Sequence, residues 1–120
     1  MVKKIVVAGC RNYENYEEAK KHIEACIQEL KSRYDLLFLS GGCKGADRLG
    51  EQYAKENGFP VEVFSADWKK YGKAAGPKRN QKMAEAADLV LCFWDGKSRG
   101  TASMISCAEK FKKPLIIIHI

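Results

Sequence analysis

Two glycine-rich turns hold the residues of this 120-residue chain whose types and spacing suit chemistry on an anion. The first is Ser40-Gly41-Gly42-Cys43-Lys44-Gly45-Ala46-Asp47, and the second is Asp95-Gly96-Lys97-Ser98-Arg99-Gly100-Thr101. Glycine lets bare backbone N–H groups approach an anion, and a helix that follows aims the positive end of its dipole at the same place. Each turn also carries Lys or Arg, so the pair points to a phosphate-bearing ligand. Neither known glycine signature is present. No Gly-x-Gly-x-x-Gly follows the first apolar run, and no Gly-Lys-Ser/Thr closes the first turn.

Other polar residues converge on the same idea. Arg11 follows Gly9 at the end of the first apolar run and is placed to reach a phosphate or to stand in solvent. Asp47 falls in the first turn of a helix. It suits a ribose hydroxyl acceptor, a catalytic base, or simple compensation of the helix dipole. Arg79 and Asn80 lie near the start of a later helix, and the planar guanidinium fits bidentate contact with phosphate or carboxylate. Asp67 and Trp68 are placed to cover the site, with Trp68 stacking on a base or else packing in the core. Thr101 reads as a helix N-cap, a hydroxyl ligand, or both. Asp47 and Arg79 are the candidates for catalysis. His22 and His119 fit no catalytic constellation.

Composition limits the partners. The net charge is +6, and the basic residues Lys69, Lys70, Lys73, Lys78, Arg79 and Lys82 run without an acidic residue among them. Such a patch suits a nucleotide, a polyphosphate or nucleic acid. The five cysteines are odd in number and never spaced C-x-x-C, so neither a disulfide framework nor a metal site is expected. Cys26, Cys92 and Cys107 fall on apolar faces, while Cys10 and Cys43 sit in the loops of interest. No apolar run approaches the ~20 residues of a membrane span, and the first residues lack a leader pattern, so a cytoplasmic protein is expected.

The elements that must position these residues alternate. Apolar runs at Ile5–Ala8, Leu36–Leu39, Pro60–Phe64, Leu89–Trp94 and Leu115–Ile118 predict strands, the third near a sheet edge. Helices are predicted at 16–33, capped by Asn15 with Glu18 in a capping box, and at 46–56. A third, with Pro77 in its first turn, is predicted to run to about Ala87, and a fourth carries Met104, Ile105, Ala108 and Phe111 on one face. Residues 65–76 read as a long loop. This alternation predicts a single domain over residues 1–120: a Rossmann-like three-layer α/β/α sandwich with a five-stranded parallel sheet in order 3-2-1-4-5. In that order the ligand crevice lies outside the carboxyl ends of the first and fourth strands, where both glycine turns fall.

The motifs resemble the SLOG superfamily, and within it the YspA-like branch. The resemblance runs through Gly9-Cys10-Arg11, Gly41 to Leu49, Ala66-Asp67-Trp68, Gly72 to Asn80 and Gly96 to Thr101. It implies a Rossmann-like fold, a nucleotide or nucleotide-derived ligand such as an ADP-ribose-like molecule, and a homodimer, with no cofactor. Similarity to the LOG-type phosphoribohydrolases is more distant. Those enzymes use an arginine, which Arg79 matches, and a glutamate whose position here is Met104. Methionine cannot act as an acid or base, so binding is favoured over N-glycosidic hydrolysis unless Asp47, Asp67 or Asp95 substitutes. Gly45-Ala46-Asp47 also resembles the Gly-Ile-Asp of the DNA-processing protein DprA. That similarity makes single-stranded DNA a further candidate partner, although Tyr71 is the only aromatic within the basic run.

Overall fold

The computed structural model describes all residues, 1–120. Its strands are β1 (Val2–Gly9), β2 (Asp35–Ser40), β3 (Val61–Val63), β4 (Leu89–Trp94) and β5 (Leu115–His119). Its helices are α1 (Tyr16–Arg33), α2 (Ala46–Glu56), α3 (Trp68–Tyr71), α4 (Ala75–Ala86) and α5 (Arg99–Lys110). The strands form one parallel sheet in the order β3-β2-β1-β4-β5, as the sequence predicts.

The period-two alternation of a strand explains the layers. On β1, Ile5 and Val7 point into one core and Val6 and Ala8 into the other. On β4, Leu89, Leu91 and Phe93 join the first core, and Val90 and Cys92 the second. The first core is closed by Ala19, Ile23 and Ile27 of α1 and by Leu49 and Tyr53 of α2. Met83 and Ala84 of α4, with Met104, Ile105 and Ala108 of α5, close the second. Central strands buried on both faces need apolar residues at every position, hence the unbroken runs. Strand β3 lies at the edge and all its residues are exposed.

Two local expectations are corrected. Residues 65–76 are not a long loop. Asp67 accepts a hydrogen bond from the Lys70 amide at 3.1 Å and caps α3, and a 3-10 turn at Gly72–Ala74 leads into α4. Helix α4 starts at Ala75 and holds Pro77 in its first turn, as expected. Proline is tolerated at its third position because the first-turn N–H groups have no intrahelical partner. At α1, Asn15 accepts from the Glu18 amide at 3.1 Å, but the capping box stays half-made. The Glu18 carboxylate instead accepts from the Tyr13 hydroxyl at 2.7 Å.

Candidate functional site: a crevice at the sheet's switch point

Three elements are tied together at Cys10. Its amide donates to the Phe93 carbonyl at 3.0 Å, and its carbonyl accepts from the Ala46 amide at 3.1 Å. The ends of β1 and β4 and the start of α2 are thereby held together. Close approach requires glycine at position 9, where a Cβ would stand 2.8 Å from the Ala46 Cβ and 2.9 Å from the Phe93 Cβ.

The first turn is shaped by its own side chains. Ser40 Oγ accepts from the Gly42 amide at 3.0 Å and donates to the Glu51 carboxylate. Asp47 Oδ2 accepts from the Cys43 amide at 3.3 Å. Two amides of the expected phosphate cradle are therefore already bonded to protein oxygens. Asp47 is only 6% exposed, and burial pushes its carboxyl from 3.8 up to about 6. The Cys43 amide and the Arg79 and Arg11 charges act in the opposite sense, while Glu51 adds to the rise.

Arg79 reaches this turn from α4. Nη1 donates to the Gly41 carbonyl at 2.8 Å, Nε donates to Asn80 Oδ1 at 2.9 Å, and Nη2 lies 3.9 Å from Cys43 Sγ. Asn80 is buried, and its Nδ2 donates to Ser103 Oγ of α5 at 3.3 Å. None of the Arg79 partners carries a negative charge. The one ion pair in the structure joins Arg48 to Glu51 at 3.4 Å.

In the second turn, Asp95 Oδ1 accepts from the amides of Lys97 and Ser98, both at 2.8 Å, which holds its carboxyl below the usual range. The N-cap of α5 is Ser98, not Thr101: Ser98 Oγ accepts from the Thr101 amide at 3.4 Å. Thr101 is buried inside the first turn of α5, its hydroxyl donating to Ser98 Oγ at 3.1 Å.

These parts enclose a crevice of ≈ 590 Å³. Into it come Gly9 and Arg11 from the end of β1, Asp47 from α2, Arg79 and Asn80 from α4, and Ser98, Gly100 and Thr101 from the second turn. Gly41, Gly42 and Trp68 lie outside it and line an adjoining groove of ≈ 390 Å³ that shares Arg79 and Cys43 with it. Asp67 lines a smaller hollow of ≈ 170 Å³, also against Arg79. Gly45 packs under Cys10 and Arg11, and Gly96 and Arg99 reach neither the crevice nor the groove. Trp68 is 54% exposed, which excludes its core reading.

Lys44, Asn12 and Asp95 also line the crevice, and Met83 and Met104 lie against it as apolar wall. Lys44 was legible as a cation within a glycine turn. The methionines carried no signal, because their spacing is that of any helix face turned to a core.

A doubly wound α/β sheet with its crevice at the point of strand reversal defines a Rossmann-like fold. Residues 3–71 match the YspA, cpYpsA-related SLOG family (YAcAr), and the chain belongs to that family. It is 34% identical over 122 residues to the gene 61 protein of Mycobacterium phage D29, covering 96% of this chain and 95% of the phage protein. Among solved structures it is similar to DNA processing protein A of Streptococcus pneumoniae, with a TM-score of 0.72 and 20% identity over 98% of this chain. The chain spans 50% of that protein's length. It is likewise similar to DNA processing protein A of Helicobacter pylori, whose structure was described for its single-stranded DNA binding mode. There the TM-score is 0.71 and the identity 21%, over 96% of this chain and 64% of the other. These structural likenesses are of fold. No helix of this chain is long and apolar enough to cross a membrane.

Proposed function

We propose that the crevice binds a nucleotide or nucleotide-derived ligand through its phosphate, in a chain that acts as one unit over residues 1–120. The observation that carries the reading is the charge state of the crevice wall. Arg79, Arg11 and Lys44 line it beside Asp47 and Asp95, and none of the three cations is in an ion pair. Arg79 is half-buried and hydrogen-bonded only to neutral acceptors; its charge acts on Asp47 without pairing with it, which supports anion binding at the guanidinium. The start of α5 lines the same space at Gly100 and adds the positive end of a helix dipole. Membership of a SLOG family supports the same ligand class.

Asp47 favours a second reading, hydrolysis of a nucleotide N-glycosidic bond. It is a buried carboxyl on the crevice whose proton leaves at about pH 6, close to where a general acid or base works best. Against that, Met104 occupies the position of the LOG-type glutamate and is 1% exposed in the core. Binding is therefore the primary reading. The chain would act as a homodimer, an expectation carried by family resemblance, and in the cytoplasm.

The test is a thermal-shift series of the full chain against nucleoside mono- and diphosphates, ADP-ribose and short single-stranded DNA. A ligand at a hundred times its Kd stabilises by about 2.7 kcal/mol, which is several degrees for a domain of this size. A shift with a small nucleotide that is absent in Arg79→Ala is the expected result. A shift with DNA alone, strongly dependent on salt, would replace the reading with nucleic-acid binding by the basic run. Release of free base from a monophosphate, lost in Asp47→Asn, would establish hydrolysis.

A further inference from the structure

The crevice leaves the neighbouring groove unexplained. The two share Arg79 and Cys43, so they adjoin across one side chain. The groove's chemistry differs from that of the crevice. One wall is Trp68, a large aromatic left 54% exposed. Its position is fixed from two sides. Asp67 caps the helix that starts at Trp68, and the ring lies over α4, where a Cβ on Gly76 would come 3.4 Å from Trp68 Cη2. Beneath the Gly41-Gly42 backbone lies Val63, whose Cγ1 would stand 3.1 Å from a Cβ on Gly42. Glu51 stands on another wall, its carboxylate held by Ser40 and Arg48. An aromatic face, an aliphatic contact and an oriented acceptor match a flat heteroaromatic ring that bears hydrogen-bond donors.

Resting on the phosphate reading of the crevice, we infer that this groove is a second subsite, which takes the nucleobase of the ligand whose phosphate lies on the other side of Arg79. Trp68 stacks on the ring, and Glu51 accepts from ribose hydroxyls or an exocyclic amine. The crevice of ≈ 590 Å³ is larger than one phosphate needs, so the ligand class is a nucleoside diphosphate or an ester of one. Arg79, which lines both spaces, sits where base and phosphate halves join.

The probes are ADP and inorganic pyrophosphate, which share the diphosphate and differ in the nucleoside. Affinities are measured by calorimetry on the full chain, with tryptophan fluorescence in parallel. The expected result is that ADP binds more tightly than pyrophosphate and quenches the Trp68 emission. Trp68→Ala should remove about tenfold of ADP affinity, and Trp68→Phe should restore most of it. ADP binding no more tightly than pyrophosphate, or keeping its advantage in Trp68→Ala, overturns the groove subsite and leaves the crevice reading standing. Binding of neither probe overturns both. An exposed ring such as Trp68 can be truncated without opening a core cavity, so the variant is expected to fold.

Discussion

Arg79 Nη1 donates to the Gly41 carbonyl at 2.8 Å, and Asp47 Oδ2 lies against the same glycine. A Cβ at position 41 would stand 2.9 Å from Arg79 Nη1 and 2.8 Å from Asp47 Oδ2. One glycine thus lets a cation from α4 and a carboxyl from α2 approach the same backbone. Both obstructing atoms are the ends of side chains, so Gly41→Ala should fold with a loss of about 1 kcal/mol or less. Its effect should fall on the site. Displacing the guanidinium should weaken nucleotide binding about tenfold, seen by calorimetry beside an almost unchanged melting curve. Equal loss in both measurements would mean that the contact is structural.

Asp47 makes a prediction in pH. Its carboxyl is at about 6 in the folded chain against 3.8 as the ordinary value, so between those values the native state holds more protons than the unfolded state. Stability then rises as pH falls from 7 towards 4 and levels off below the unfolded value. Asp47→Asn removes the buried charge and keeps the shape. It should be more stable than the wild type at pH 7.5, by up to about 3 kcal/mol, and lose this part of the pH dependence. Urea unfolding at pH 4.5, 6 and 7.5 reads the difference. Parallel curves for the two proteins would show that Asp47 is solvated.

Arg79 itself separates charge from geometry. Its fork reaches Gly41 and Asn80 through different nitrogens, a span that a lysine ammonium cannot reproduce. Arg79→Lys should therefore retain only part of the phosphate affinity, and Arg79→Ala should lose about 2 kcal/mol or more of it, with little change in melting temperature. Full affinity in Arg79→Lys would reduce the role to a point charge.

The strands and helices that bury a face were legible because burial dictates residue type. Ile5-Val6-Val7 and Leu89 to Trp94 admit little but a central strand, and α2 covers the expected 46–56, with Gly58 just beyond its end as the stop signal. The crevice was legible at Gly9, Arg11, Asp47 and Arg79, because strand order places those ends together. Two things were hidden. The residues 65–76 bury little, so no apolar period announces α3, and only Asp67 carried a capping signal. The internal bonding of Gly42 and Cys43 was also hidden, since Ser40 and Asp47 compete for those amides only once the chain has folded.

The second turn shows how a neighbour decides a cap. Ser98 and Thr101 are both good N-cap types, but the Asp95 carboxylate, bonded to the amides of Lys97 and Ser98, turns the chain so that Ser98 lies at the boundary. Ser98→Ala should then cost about 1 kcal/mol, since it leaves the Thr101 amide without its acceptor. It also removes the partner of the buried Thr101 hydroxyl. Thr101→Val, which keeps the shape and leaves the Ser98 cap intact, should cost less. Chemical denaturation of the two variants ranks them, and the reverse order would return the cap to Thr101.

Gly45 and Gly96 set a crowded glycine against an open one. Their φ angles are +85° and +82°, so an alanine is disfavoured at either, and the ψ of −134° at Gly45 puts that residue where essentially only glycine is found. Their surroundings are opposite. A Cβ on Gly96 meets nothing within 4 Å, whereas one on Gly45 runs into the Cys10 carbonyl and stands 2.5 Å from the Arg11 backbone. Backbone cannot yield as a side-chain end does, and this backbone holds β1 to α2 through the Ala46 amide. Gly96→Ala should therefore destabilise by the dihedral penalty alone. Gly45→Ala should exceed it by about 2 kcal/mol or more and should pull Arg11 from the crevice wall. Urea unfolding gives the difference directly, and equal losses in the two variants would mean that the first turn moves aside freely and does not fix the position of Arg11.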